Sequence, residues 1–218
     1  MSVQTQSPEA VERAWWAKLP RMLFAPGQVL AELRDESKEA ADARQEPLVA
    51  VSFLAGIAIF VGLFALEQPY ERYRGLSAVT LTVQSIFGGA AVALTTFWVG
   101  GAVVYLGARG LGATTGYRLA RHIAGLATAP FILVLVLVIP VRLGLYGMDL
   151  FRDGGSDTST SRAVFIAIDG FVGLWTVALL LVGIRVTQRW SWSRSAGALG
   201  VAALFAILLG TLSYTAAR

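Results

Sequence analysis

Five long apolar segments dominate this chain of 218 residues. Residues 47–66, 75–108, 123–141 and 195–217 carry no charged side chain, and residues 163–184 carry only Asp169. A helix needs about 20 mostly apolar residues to cross a hydrocarbon core of about 30 Å, and each segment meets that requirement. A soluble domain of this size could not bury five helices that are apolar on every side. The sequence therefore predicts an all-α fold, a polytopic transmembrane bundle of five spans.

The predicted organisation is a charged and amphipathic N-terminal segment, residues 1–46, followed by a transmembrane domain, residues 47–218. Small residues cluster in the second and fifth segments, which favours close helix packing within the molecule over a dimer face. The clusters are Gly88, Gly89, Ala93, Gly100 and Gly101, and then Ala196 and Gly200. The expected spans are about 47–66, 79–107, 119–146, 163–185 and 195–215.

The third span is interrupted by two prolines, Pro130 and Pro140. Each proline removes a backbone hydrogen bond, so we expect a kink at both positions. Only this span is expected to be broken. A transporter with inverted repeats would be expected to break helices in both halves.

The distribution of lysine and arginine predicts the orientation. Cytoplasmic loops carry an excess of these residues, so the more basic side is assigned to the cytoplasm. This places the N-terminus inside and the C-terminus outside, in the plasma membrane. Twelve residues fall inside: Arg13, Lys18, Arg21, Arg34, Lys38, Arg44, Arg109, Arg118, Arg121, Arg185, Arg189 and Arg194. Six fall outside: Arg72, Arg74, Arg142, Arg152, Arg162 and Arg218.

The N-terminal segment contains an amphipathic pattern. Four apolar residues recur at helical spacing, which predicts a helix from residue 8 to about residue 24, limited by prolines, and a second helix from residue 27 to about residue 43. The four residues are Val11, Trp15, Leu19 and Met22. Two placements bury this face equally well: the headgroup layer, or the ends of the spans. Expected membrane-surface anchors are Trp15 and Trp16 here, and Trp190 and Trp192 in the last predicted cytoplasmic loop.

Few side chains are suited to catalysis. Cysteine is absent and His122 is the one histidine, so thiolate chemistry and two-histidine metal motifs are excluded. No catalytic, cofactor-binding or metal-ligating residue is predicted, and the small positive charge gives no reason to expect a nucleic-acid partner. His122 follows Arg118 and Arg121, where an interfacial side chain near lipid headgroups is favoured over a proton carrier.

Asp169 is the one ionisable residue inside an apolar segment, which makes it a functional candidate. It lies six residues after Ala163, about 9 Å in from the end of the helix at 1.5 Å per residue. Arg142 ends the third span on the same side. A structural pair between the two side chains, or contact with interfacial water, is favoured over a transport role.

The chain resembles the Yip family, the Ypt-interacting-protein family of five-span membrane proteins. The resemblance covers nearly the whole chain. It rests on the Leu-Pro-Arg-Met-Leu-Phe-Ala-Pro run at 19–26, Gly-Tyr at 116–117, the alanine-rich run at 125–130 that ends in Pro130, Leu-Trp at 174–175, Val-Gly-Ile at 182–184 and Ser-Arg-Ser-Ala at 193–196.

The resemblance implies five helices, a cytoplasmic N-terminus and a role in membrane organisation. Eukaryotic relatives are associated with Rab-type GTPases and carry an Asp-Leu-Tyr-Gly-Pro motif, which this tail lacks. Rab binding is therefore not expected, and a bacterial member is. Two functions remain: a non-enzymatic scaffold or adaptor that binds a membrane protein or a second copy of itself, or a small transporter or channel subunit that uses Asp169 and the broken third span.

Overall fold

The computed structural model describes residues 8–67, 77–152, 156 and 159–216. Within these residues no β-strand occurs, and five helices are long and apolar enough to cross a membrane. The predicted all-α bundle with five such helices is confirmed. Arg72, Arg74 and Arg218, which were assigned to the outside, lie beyond the described residues. Spans one to five are Lys38–Leu66, Ala78–Gly110, Tyr117–Phe151, Thr160–Gln188 and Trp192–Leu212.

The N-terminal segment forms three short helices and a tight turn. These are α1 (Pro8–Lys18), α2 (Arg21–Phe24) and α3 (Pro26–Ala31), followed by a 3₁₀ turn at Glu32–Arg34. The helix expected to run to residue 24 therefore ends at Lys18, because Leu19 and Pro20 form a turn. We call residues 8–37 the tail.

The helix that contains span one starts earlier than the predicted span, and it follows a break in the tail. Its helix, α4, runs from Lys38 to Glu67 and passes through Pro47, where the span was expected to begin. The second tail helix, expected from 27 to about 43, is instead broken at residues 35–37. The backbone N–H of Ser37 donates to Asp35 Oδ1 at 3.0 Å, and the Ser37 hydroxyl accepts from Ala40 N at 3.3 Å. This serine starts a new helix in the manner of an N-cap.

Spans two and three are both interrupted. Span three consists of α7 (Tyr117–Ala127), α8 (Pro130–Leu133) and α9 (Ile139–Tyr146), with a turn before Pro130 and a π-helical stretch at Val134–Val138 before Pro140. Span two consists of α5 (Ala78–Leu94) and α6 (Gly101–Gly110), joined by a π-helical stretch at Thr95–Gly100. The expectation that only span three is broken was wrong. The break in span two contains no proline, so the sequence pattern did not reveal it.

Glycine and alanine bring the spans together. A Cβ on Gly56 of span one would overlap the Gly89 carbonyl oxygen of span two, so these backbones are in direct contact. Span five, α11 (Trp192–Ala216), packs on α6 in the same way, since a Cβ on Gly107 would overlap the Ala198 carbonyl oxygen. Ala196 and Gly200, the predicted pair, are exposed instead. The packed pair is Ala198 and Ala202, two positions further along the helix.

The bundle has two different ends. Span four, α10 (Ser159–Gln188), contacts α3 of the tail and α7 near its final turns. We call the end that holds the tail, the turn at residues 111–116 and the turn at 189–191 the tail end. The opposite end, which holds the 3₁₀ turn at Gly147–Phe151 and the start of α10, is the far end.

Candidate functional site

Two buried side chains join the tail to spans one and three. The Arg44 side chain belongs to α4 and His122 belongs to α7, and both residues are 0% exposed. Arg44 Nε donates to His122 Nδ1 at 3.2 Å, and Arg44 Nη1 donates to the carbonyl oxygen of Asp35 at 2.8 Å. One guanidinium therefore bonds to both the neighbouring span and the end of the tail.

The hydrogen bond from Arg44 determines the tautomer of the His122 imidazole. Arginine is always a donor, so His122 Nδ1 must be an acceptor and the proton of a neutral ring must lie on Nε2. His122 was expected near lipid headgroups; the structure corrects this, because the ring lies inside the protein, stacked on Phe97 with 6.2 Å between ring centroids. His122 Nε2 and Arg44 Nη2 are buried without a protein partner.

Other arginines at the tail end also bind backbone carbonyl groups. Turns and helix ends leave carbonyl oxygens without intrahelical partners, and a guanidinium supplies several donors in one plane. The tail and the loops are thereby tied to the spans. Arg34 donates to the Val186 carbonyl, Arg118 donates to the Glu36 carbonyl at 2.5 Å, and Arg194 Nε donates to the Leu111 carbonyl at 3.2 Å.

Asp35 stabilises the turn between tail and span one. Its carboxylate accepts from the backbone N–H and from the side chain of Ser37, and these hydrogen bonds lower the pKa of the Asp35 carboxyl below its ordinary value. The turn is thus favoured by the charged form of Asp35.

Arg121 lies against the π-helical stretch of span two. Its guanidinium carbon is 4.3 Å from the centroid of the Trp98 ring and 5.4 Å from that of Phe97. Tyr117 completes the contact, since its hydroxyl donates to the Trp98 carbonyl oxygen at 2.7 Å. A Cβ on Gly101 would overlap the Arg121 backbone, so the aromatic contacts depend on the close approach of α6 and α7.

A charged pair lies in the half of the bundle towards the far end. Arg142 Nη1 is 3.1 Å from Asp169 Oδ2, and the two side chains are 4% and 23% exposed. Arg142 also lies 5.0 Å from the centroid of the Phe165 ring. The structure thus brings together the two residues that the sequence placed on one side. Arg142 is more deeply buried than Asp169, so loss of the carboxylate would leave a buried cation.

The four tryptophans predicted as membrane anchors occupy different environments. Trp15 is 4% exposed and belongs to the protein core, so its expected role as a lipid anchor is wrong. Trp16, on the other side of α1, is 40% exposed. Trp192 is exposed and lies under Arg185 at 4.3 Å, whereas Trp190 is half-buried and lies under Arg194 at 4.2 Å. The buried Trp15 supports docking of the tail on the spans.

The buried role of Arg44 was missed in the sequence, where this residue counted only as a charge of the tail. A signal was present. Arg44, Leu48, Val51 and Ala55 recur at helical spacing, and all four are buried. Extending the apolar periodicity of span one backwards through Pro47 would have predicted an inward-facing arginine.

The polar side chains described above bind to backbone carbonyl groups and to one another. Among the described residues, no three histidine, aspartate or glutamate side chains converge as a metal site would require. The Arg44–His122 contact lies at the tail end, and the Arg142–Asp169 pair lies towards the far end. What the geometry supplies is a bundle whose loops and tail are held by arginine.

Comparison with known proteins identifies the family. The sequence model of the Yip1 domain matches residues 21–214, which covers α2 to α11 and therefore all five spans. No curated protein and no solved structure matches the chain. The match extends over most of the sequence, and the chain belongs to the Yip1 domain family of membrane proteins.

Proposed function

We propose that this protein is a non-enzymatic membrane scaffold or adaptor that binds another membrane protein through spans four and five. One observation carries the proposal: the outward faces of these spans make few contacts within the protein. Leu174 of α10 is 71% exposed and Leu204 of α11 is 67% exposed. Helices associate in lipid by close packing, so such faces are available for lateral contact.

At the tail end, hydrogen bonds fix the position of the tail relative to the spans. Arg44 and Arg118 hold the end of the tail against the spans through the carbonyl oxygens of Asp35 and Glu36. A partner bound to spans four and five would therefore be held in a constant position relative to the tail. Rab-type GTPase binding is not part of the proposal, because the tail lacks the family motif that accompanies it.

Photo-crosslinking in native membranes tests the scaffold. A photoreactive residue at Leu174 or Leu204 should capture one defined membrane protein or a second copy of this chain, and the same protein should co-purify with the wild type. Leu179 is the matched control, since it lies on α10 but is only 2% exposed. Capture of lipid alone at both exposed positions would overturn the proposal.

Ion flux separates the scaffold from the transporter alternative. On the scaffold hypothesis, Asp169 stabilises the fold through its contact with Arg142. Proteoliposomes that contain the wild-type protein should then show no more ion flux than empty liposomes. A proton or cation flux that disappears in a fully stable Asp169→Asn variant would favour the transporter instead.

We further propose a bacterial plasma-membrane location with the N-terminus in the cytoplasm and the C-terminus outside. The support is the excess of lysine and arginine on the predicted inner side, twelve residues against six. Reporter fusions after Ser37, Thr114, Ser156 and Ser191 test the orientation. A cytoplasmic signal from the fusion after Ser156 would contradict it.

A further inference from the structure

An apolar groove of about 370 Å³ lies between the tail and the spans. Its two walls come from parts of the chain that are distant in sequence. One wall is formed by α1, α2 and the turn that joins them, and the other by spans one and three. The residues that define the groove are Trp16, Leu19 and Leu23 on the tail, and Val51, Ala129 and Leu133 on the spans.

We propose that this groove binds one acyl chain of an anionic phospholipid, with the phosphate at Arg21. The span residues of the groove belong to segments that cross the hydrocarbon core, so lipid chains reach it from the side. The tail covers the groove from the headgroup level. Both walls are apolar, and an acyl chain fills such a surface without leaving a polar group unpaired.

The position of the groove favours a lipid chain over a partner helix. An α-helix with its side chains is about 10–12 Å wide, and one that crossed the membrane beside spans one and three would meet the tail residues that form the other wall of the groove. An acyl chain is narrower than a helix and ends at the headgroup level, so it can lie between the two walls.

Positive charge at the edge of the groove favours an anionic lipid headgroup. Arg21 directly follows Pro20, which is part of the groove wall, and its side chain is exposed. No carboxylate in the described part of the chain pairs with Arg21, whereas Lys18 is engaged by Glu32 at 2.5 Å. Arg13, also exposed, precedes Trp16 by about one helical turn. Arg21, which directly adjoins the groove wall, is thus the cation proposed to bind the phosphate group.

Exposed aromatic side chains place this region at the membrane interface. Trp16 is 40% exposed although it contributes to the groove, and Phe24 is 85% exposed at the end of α2. Aromatic rings beside basic residues are typical of helices that lie at headgroup depth. The tail is therefore docked on the spans through Trp15 and faces lipid through Trp16.

Native mass spectrometry of the full chain, purified in mild detergent, tests the proposal with two lipids of equal chain length, phosphatidylglycerol and phosphatidylcholine. We expect retention of one phosphatidylglycerol per protein. Arg21→Gln should reduce this retention about fivefold, the value of one basic contact near an anionic lipid. Lys38→Gln is the matched control, because Lys38 is exposed and distant from the groove wall.

Two substitutions fill the groove from opposite sides, Leu133→Trp and Leu23→Trp, and either should abolish retention of the lipid. Leu204→Trp, on the exposed face of span five, should not. Thermal unfolding in detergent shows whether each variant is folded. The test of lipid retention needs only one of the two groove variants to be folded. If a folded groove variant retained as much phosphatidylglycerol as the wild type, the proposal would be overturned. Equal retention of phosphatidylglycerol and phosphatidylcholine by the wild type would also overturn it, and so would a protein segment found in the groove.

Discussion

The tail end of the bundle and the halves of spans four and five nearest the far end are stabilised by different interactions. At the tail end, the backbone turns repeatedly, and arginine side chains bind the exposed carbonyl groups of Asp35, Glu36 and Leu111. In the halves of spans four and five nearest the far end, the helices are continuous. Among the described residues, the ion pair that involves these helices is Arg142–Asp169. Continuous helices satisfy their own backbone in lipid, so they need few polar contacts.

The difference shows where polar interactions matter in this bundle. Donors are needed where the chain is irregular, and the buried Arg44 meets that need next to the break at residues 35–37. The regular helices leave long apolar faces exposed, and these faces are available to lipid or to a partner. The following predictions test this contrast, from the largest expected effect to the smallest.

Arg44→Leu should destabilise the protein most. It would leave His122 Nδ1 buried without a donor, at a cost of about 1–3 kcal/mol, and remove the charge-assisted bond to the Asp35 carbonyl, which contributes about 1.5–3 kcal/mol, so we expect a loss of about 2.5–6 kcal/mol. The measurement is thermal unfolding in detergent, together with trypsin cleavage at Arg21. Arg13→Leu, in the exposed part of the tail, is the control. Equal stability of the two variants would refute the role of Arg44.

Asp169→Asn should have the next largest effect, because it leaves the Arg142 cation buried. The loss should be about 3 kcal/mol, the lower end for buried pairs, since Asp169 is partly exposed. Combining it with Arg142→Gln should recover part of this loss, and a double-mutant cycle on unfolding measures the coupling. Additive losses would show that the two side chains do not interact.

Gly107→Ala should destabilise the packing of spans two and five by about 1–3 kcal/mol, because the added methyl group meets the Ala198 carbonyl oxygen. Gly200→Ala is the same change on an open part of α11, where no atom lies within 4 Å of the added Cβ. It should be neutral or stabilise the helix by up to about 1 kcal/mol. Gly107→Ala should therefore lower the unfolding temperature and Gly200→Ala should not, and an equal decrease in both variants would contradict the packing.

Asp35→Ala should have the smallest effect, since the carboxylate is exposed. The pKa of Asp35 is lowered, so its contribution to stability is present above the ordinary value of 3.8 and is lost as the pH falls through the lowered value. The difference in unfolding temperature between wild type and variant should thus be present at about pH 7 and absent at strongly acidic pH. Asp42→Ala, on the exposed face of α4, is the control for the removal of an exposed carboxylate at about pH 7.

Several features could be predicted from the sequence because they depend on local composition. Apolar length determined the five spans, and the positions of Asp169 and Arg142 within them indicated a shared side of the membrane. The tail helix followed from the spacing of its apolar residues. The buried start of the span-one helix lies outside the predicted span, because the uncharged apolar stretch begins only at Pro47 whereas the helix begins at Lys38 and passes through this proline.

Composition and periodicity by themselves determined that this chain is a helical membrane protein with an amphipathic tail, because the hydrocarbon core imposes the same requirement on every spanning segment. Only the tertiary structure decided which polar groups meet. The pairing of Arg44 with His122 joins residues 78 positions apart, and the groove under Trp16 needs walls from the tail and two spans. Such contacts depend on how the helices pack, which a one-dimensional pattern of residues does not specify.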